Sequence, residues 1–278
     1  KLSVGEPYFN QVAIPVGTAI LFLMGVGPAL PWGEGGQRAV LALRGPAVAA
    51  ALGAGAVAVL SPASVLSWST RVVAEGAFAM TVTVVEIVRP VRVRMKENGE
   101  SAGTAAWRAL SRGNRRFGGY LVHAGIIVVI VAIGLSHAYR TEREINLAVG
   151  QPVTFEDYTL TLVGRDTVKE PHRTRELAHV DVSGPSGSFT LTPALNHYAF
   201  SSNAIGTPDV HTTATHDLYL SLLTIAPKGS TAGVHVYYNP GVLWLWVGTG
   251  IAALGCLLAL VPGRRTAVAA APAAQAAK

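Results

Sequence analysis

Long apolar runs separated by short polar stretches dominate the first half of this chain, and the pattern changes abruptly near residue 140. Five runs reach the length a helix needs to cross a bilayer: 11–30, 39–60, 64–88, 117–139 and 240–262. Pro15, Pro46, Gly119 and Gly134 fall inside them. Such residues are tolerated there because neighbouring helices re-satisfy the freed backbone groups. The Ala/Gly-rich run 39–60 suits close helix packing better than lipid exposure. Residues 140–239 are polar and alternate in short segments. Val153–Phe155, Tyr158–Val163, Ala178–Val182, Ser188–Leu191, Asp217–Leu222 and Gly233–Tyr238 read as strands between Gly-Pro and Ser-Gly breaks. The pattern predicts an α-helical membrane protein of about five transmembrane helices, with an extracytoplasmic β-rich domain inserted before the last helix. Its expected organisation is a helical region 1–139, a β-rich domain 140–239, a last helix 240–262 and a disordered Ala-rich tail 263–278. No internal repeat is evident.

Composition supports the membrane reading. Half of the 278 residues are hydrophobic and only 14% are charged, with a mean hydropathy of +0.38, too apolar for an ordinary soluble domain. The net charge of +6 is no argument for nucleic acid, because basic residues gather on cytoplasmic loops. The densest basic cluster is 89–116, with Arg89, Arg92, Arg94, Lys96, Arg108, Arg112, Arg115 and Arg116, so this loop is expected in the cytoplasm. Counting spans from it places residues 1–10, 61–63 and 140–239 outside, and 31–38 and the tail inside. Arg38, Arg44, Arg264 and Arg265 agree. A single cysteine, Cys256, excludes an intrachain disulfide, a Cys-x-x-Cys redox pair and a Cys-x-x-Cys-His haem-attachment site. The chain begins at Lys1 without a recognisable signal peptide, and a processed, split or partial polypeptide is expected.

The chemistry concentrates at Arg115-Arg116-Phe117-Gly118-Gly119-Tyr120-Leu121-Val122-His123-Ala124-Gly125. An ionisable side chain within a span is costly and marks a candidate functional site. Neutral imidazole is also a common metal and haem-iron ligand. His123 lies about 9 Å past Phe117 along the helix. Gly119, Tyr120, Ile126 and Ile127 share its face, where a glycine would admit a flat group and the isoleucines would wall it. Arg115 and Arg116 are candidate partners for acidic groups such as haem propionates. The alternative is a histidine hydrogen-bonded to a neighbouring helix. A six-coordinate haem needs a second axial ligand, and His137, about 21 Å further along the same helix, cannot supply it. Arg71 and Glu75, four apart in the third span, are placed to offset each other's burial, as an interhelical polar lock or part of an ion path. Glu86 is within reach of Arg89. His172, His179, His197, His211, His216 and His235 show no zinc-type spacing and read as scattered loop histidines. No phosphate-binding loop, nucleophile elbow or catalytic carboxylate pair is present. Trp32, Trp68, Tyr237, Tyr238, Trp244 and Trp246 sit near span ends as an aromatic belt would.

Four stretches carry a resemblance over the chain up to about residue 262: Lys1–Asn10, Leu23–Pro28, Arg112–His123, and Asp217-Leu218-Tyr219 followed by Tyr237-Tyr238-Asn239-Pro240 and Trp244-Leu245-Trp246. In order and content they resemble the C-terminal part of CcmF, the large membrane subunit of the bacterial cytochrome c maturation haem lyase. The resemblance implies a b-type haem held within the bacterial inner membrane, with His123 as one axial ligand to its iron. It places the second ligand, and the outer segment that receives haem from a CcmE-type chaperone, in the part of the family that precedes this one or in a partner chain. It further implies a CcmH-type thiol component and apocytochrome c as partners. Position 137 is more often small in the family, and Gly241 replaces a commoner apolar residue; neither touches the ligand. Two other readings remain open from the residues: a transporter segment with Arg71, Glu75 and His123 along a polar path, and an assembly scaffold whose β domain only binds partners.

Overall fold

The computed structural model describes residues 6–30, 36–60, 67–201, 203–226 and 230–261. Trp32, the expected loop 61–63, the tail 263–278 and residues 31–35 of the expected loop 31–38 lie outside the described residues.

Six helices form the membrane-type half: α1 (Glu6–Ala29), α2 (Gly36–Leu60), α3 (Trp68–Asn98), α4 (Ala102–Arg112), α5 (Asn114–Tyr139) and α6 (Val242–Leu260). Four of them, α1, α2, α5 and α6, are long and apolar enough to cross a membrane. The third expected span is the exception. α3 is 31 residues long but carries Arg71, Glu75 and Glu86, and it occupies the centre of the bundle, packed against α1, α2 and α5. Charge is admitted where protein rather than lipid surrounds it.

The basic segment 89–116 is helical rather than a loop. α3 continues through Arg89 to Asn98, where Gly99 ends it in the left-handed conformation (φ 63°). That conformation is cheap only for glycine. Ser101 then caps α4 by accepting from the Thr104 N–H. Glu100 fixes the corner, receiving Arg94 at 2.6 and 2.9 Å and Arg108 at 2.8 Å. These charge-assisted bonds, with Arg94 closing as a fork, hold the Glu100 carboxyl below the usual carboxylate range.

Glycine sets the packing of α5 on α6. A Cβ at Gly118 would sit 2.6 Å from the Gly255 carbonyl oxygen, and one at Gly125 would sit 2.5 Å from the Ala252 nitrogen and the Gly248 carbonyl oxygen. The two helices therefore meet backbone to backbone, the close approach that small residues permit where lipid supplies no hydrophobic drive. The opposite face of α5 meets α3 through Ile127, which joins Leu21, Val72 and Ala79 in a small apolar core.

The outer half is a β-sandwich. One sheet has the order β1 (Thr141–Ala148), β10 (Thr231–Pro240), β9 (His216–Ile225), β8 (Asp209–Thr212). The other runs β2 (Pro152–Phe155), β3 (Tyr158–Glu170), β4 (Arg173–Gly184), β6 (Ala194–Tyr198), β7 (Ile205–Thr207), with β5 (Gly187–Leu191) also pairing β4. Alternate residues such as Leu160, Leu162, Val180, Leu220, Val234 and Val236 meet between the sheets. β1 follows α5 after one residue, and β10 runs into α6 across Gly241. β1 and β10 pair from Thr141↔Tyr238 to Ala148↔Thr231. The helix pair thus continues directly into a strand pair.

The strand expectations needed extension. β3 and β4 reach beyond the core as a ribbon whose outer residues are polar on both faces, and β1, β6, β7 and β8 have too few inward apolar positions to read as strands alone. Tyr237 and Tyr238 belong to β10, just before α6. Tyr238 stacks on His216 (centroids 4.3 Å), while Tyr237 packs on His235 and under the Arg140 guanidinium.

Candidate haem-ligating site on α5

His123 sits near the middle of α5, its ring meeting Tyr120 edge-on (centroids 6.0 Å, 88°). At 100° per residue it shares a stripe with Arg116, Tyr120, Ile127 and Gly134, the face that α3 covers. Pairings of Val72 with Gly134, Ala79 with Ile127 and Glu86 with Tyr120 set the antiparallel register and put Thr83 level with His123. The Thr83 hydroxyl donates to its own helix, at the Ala79 carbonyl, and does not meet the imidazole. The His123 Nδ1 is buried and has no hydrogen-bond partner among the described residues. The alternative of a histidine tied to a neighbouring helix therefore finds no partner within the described bundle. One turn before it, a Cβ at Gly119 would meet nothing within 4 Å, so bare backbone faces open space beside the imidazole.

Below His123, toward α4, lies a polar cluster anchored by Glu86. Its carboxylate accepts from the Arg116 guanidinium at 2.7 Å, the Tyr120 hydroxyl at 3.3 Å and the Arg89 guanidinium at 3.5 Å. The Arg116 guanidinium also lies over the Tyr120 ring at 5.6 Å. Buried Glu86, expected from the sequence to reach Arg89 or the lipid headgroups, is thus shared by α3 and α5. The signal was present in a carboxylate near the end of one span and two arginines at the start of another. Arg115 is exposed and has no partner among the described residues. Arg115 and His123 thus offer unmatched groups, while Arg116 is already engaged.

An axial histidine needs an unpaired nitrogen, room for a flat macrocycle and an apolar wall. The unpartnered imidazole, open Gly119 and half-buried Ile126 fit these requirements for one side of a haem, while Ile127 is taken up in the contact with α3. α1 to α4 and α6 contain no histidine, and His137 lies about 21 Å away along α5, so His123 is the one candidate for an axial ligand at this level of the described helices. Arg71 and Glu75 make no direct hydrogen bond or salt bridge, although the Arg71 charge acts on the Glu75 carboxyl as their spacing predicts. Arg71 lies over the Trp68 ring at 5.0 Å, and Glu75 keeps a buried carboxylate oxygen without a hydrogen-bond partner among the described residues.

The outer histidines are structural partners rather than loop residues, His172 apart. His179 binds Asp166 at 2.9 Å and His197 binds Glu176 at 3.3 Å. His211 and His216 lie on adjacent strands, not on one. His211 stacks on Phe189 at 3.7 Å. His216 is buried, with Nε2 at 2.7 Å from the Tyr158 hydroxyl and Nδ1 at 2.9 Å from the Thr215 hydroxyl. Burial pushes His216 below the usual imidazole range and raises Asp217 above the usual carboxylate range.

Residues 138–240 match the family described as the CcmF C-terminal beta-sandwich. The cytochrome c-type biogenesis protein CcmF of Pseudomonas aeruginosa is 29% identical over 271 residues, covering 95% of this chain and 39% of its own length. The CcmF of Escherichia coli is 27% identical with the same coverage. A solved structure, cytochrome c haem lyase CcmF, superposes with a TM-score of 0.73 at 26% identity, over 93% of this chain and 41% of that one. The chain therefore spans about two fifths of the length of the relatives it matches. Helices, sandwich and order all agree with the resemblance carried by the sequence motifs: the chain is similar over nearly its whole length to the C-terminal part of CcmF, and its residues 138–240 match the CcmF C-terminal β-sandwich.

Proposed function

We propose that this chain is the C-terminal portion of a haem-binding membrane subunit of the cytochrome c maturation haem lyase. In this reading His123 is one axial ligand of a b-type haem within the bacterial inner membrane, and the β-sandwich faces the periplasm. The observation that carries the reading is the unpartnered, half-buried imidazole of His123 beside the open backbone of Gly119. The second axial histidine comes from the preceding part of the family or a partner chain. Arg115 is free to meet a propionate, and Arg116 would do so by sharing its guanidinium with Glu86. Bound haem supplies one-electron chemistry. The chain's own task is to hold it: α6 fixes α5 through the glycine contacts, Tyr120 limits the swing of the imidazole, and the sandwich offers a surface beside the site. A CcmE-type chaperone, a CcmH-type thiol component and apocytochrome c are the partners this role requires.

The test is a reduced-minus-oxidised visible spectrum with pyridine haemochrome quantification. The sample is the detergent-purified full assembly, wild type beside His123→Gly. A b-type signal that falls in the variant and returns with added imidazole supports axial ligation. An unchanged signal removes His123 from the iron. Absence of haem in the complete assembly turns the reading toward a transporter or scaffold.

A further inference from the structure

The surplus positive charge of this chain is concentrated at one level of the helical half. Eight basic and two acidic residues lie between positions 89 and 116, a surplus of six, equal to the net charge of the whole chain. Glu86 and Glu100 engage only some of them. Arg92, Lys96, Arg112 and Arg115 have no ionic partner among the described residues.

α4 marks this level as a bilayer surface. Its Ala105 and Ala109 are buried, its Thr104, Arg108, Ser111 and Arg112 form a polar stripe, and Trp107 on the apolar side is 69% exposed. A short basic amphipathic helix between the ends of two long helices lies in the headgroup region. The β-sandwich leaves the bundle at the other end of α5, so α4 belongs to the opposite leaflet.

A cavity of about 350 Å³ opens between α1, α2 and α3 near that level. Ala42, Pro46, Val82 and Val85 form apolar walls; Glu86, whose carboxylate is taken up by Arg116, Tyr120 and Arg89, follows them along α3, and Arg89 and Arg92 lie beyond it toward α4. The Arg89 side chain is 70% exposed and its contact with Glu86 is long at 3.5 Å, because Arg116 takes the near position on that carboxylate. The cavity thus joins an apolar slot to two guanidinium groups, Arg92 without an ionic partner among the described residues and Arg89 held only at 3.5 Å by Glu86.

We propose that this cavity binds an anionic phospholipid of the leaflet opposite the β-sandwich, with an acyl chain between α2 and α3 and the phosphate at Arg89 and Arg92. Guanidinium forks suit phosphate oxygens, and the apolar walls exclude a purely soluble anion as the preferred occupant. The inference does not depend on His123 or on haem.

The experiment reconstitutes the full chain in phosphatidylcholine nanodiscs with and without phosphatidylglycerol and counts retained lipid by native mass spectrometry after release. Three variants accompany it. Arg89→Gln/Arg92→Gln removes the charges, Ala42→Phe fills the cavity without changing charge, and Lys169→Gln on the sandwich repeats a charge loss elsewhere. Wild type should retain phosphatidylglycerol over phosphatidylcholine. At about fivefold per cation near an anionic surface, the double variant should lose at least fivefold of that preference. Ala42→Phe should lose bound phosphatidylglycerol too, while Lys169→Gln should not. Loss in the arginine variant with full retention in Ala42→Phe means diffuse surface attraction only and overturns the cavity site. Equal retention of both lipids by wild type overturns it as well.

Discussion

Replacing Gly248 by alanine tests the backbone contact between α5 and α6. The new Cβ would lie 2.7 Å from the Gly125 carbonyl oxygen and 2.9 Å from the Val129 Cγ2. Ordinary contacts begin near 3.5 Å, so the helices must part by about 1 Å. Overpacking of this kind costs about 1–3 kcal/mol. Alanine also restores about 0.8–1 kcal/mol of helix propensity over glycine, which blurs the measurement if it is made alone. Gly250, two residues along the same helix, removes the ambiguity, since a Cβ there meets nothing within 4 Å. Both substitutions gain the same propensity, and only Gly248→Ala carries the clash. The two variants should therefore differ by about 1–3 kcal/mol, roughly 2–12 °C in Tm for a chain of this size. Thermal unfolding of the detergent-purified protein gives the comparison. Gly125→Ala combined with Gly248→Ala should cost less than the sum of the two, because helices already parted accommodate both methyls. A Gly248→Ala protein as stable as Gly250→Ala would refute backbone-level packing of this pair.

Other outcomes follow from the sandwich and its seam with α6. Gly241 has a left-handed backbone (φ 76°) with open space around it, so Gly241→Val should destabilise by about 1–3 kcal/mol through strain alone, read by chemical denaturation. Tyr158→Phe removes the hydroxyl that meets His216 Nε2 at 2.7 Å and Ser186 at 3.0 Å. Leaving that buried nitrogen unpaired should cost about 1–3 kcal/mol, with His216→Gln in the same background restoring little. His216 has a folded pKa below its unfolded value near 6.5. Its contribution is complete above pH 6.5 and is lost as pH falls toward the folded value. Asp217 is raised by burial from 3.8, so its contribution is present below that pH and is lost as pH rises. Stability measured between pH 7 and 5 should fall less steeply, or rise, in His216→Gln; an unchanged profile would show that His216 does not govern it.

Spans were legible because twenty apolar residues have few alternatives, and His123 because an imidazole there is conspicuous. The segment 89–98 was not legible as helix. Val91-Arg92-Val93-Arg94 alternates with strand period, and only propagation from the packed turns before it keeps α3 going to Asn98. α4 did leave a trace in Ser101 and the Arg108/Arg112 pair, weak against the charge around it. The cluster at Glu86 depends on the register of α3 against α5, which no local pattern encodes. Gly118, Gly125, Gly248 and Gly255 carry no local signal of contact, and their spacing of seven on two helices gains its meaning only when the helices are matched in space. The inward histidine of the sandwich was missed for a related reason: Thr213 and Thr215 turn the chain between His211 and His216, so five residues that look like one strand are a hairpin.

The absence of a linker at either end of the sandwich also dictates an order of events during synthesis. Tyr139 and Val242 are separated by 102 residues. At roughly 5–20 residues per second that is about 5–20 s of elongation. Through that interval the glycine face of α5 that will hold α6 is still uncovered, and the whole sandwich is made before α6 emerges. β10, the last strand made, pairs with β1, the first, so closing the sandwich draws the start of α6 to the end of α5. Closure of the sandwich is thus what delivers the last helix to its partner, and a lesion in the sheet of β1 and β10 would surface as a fault in the helix pair.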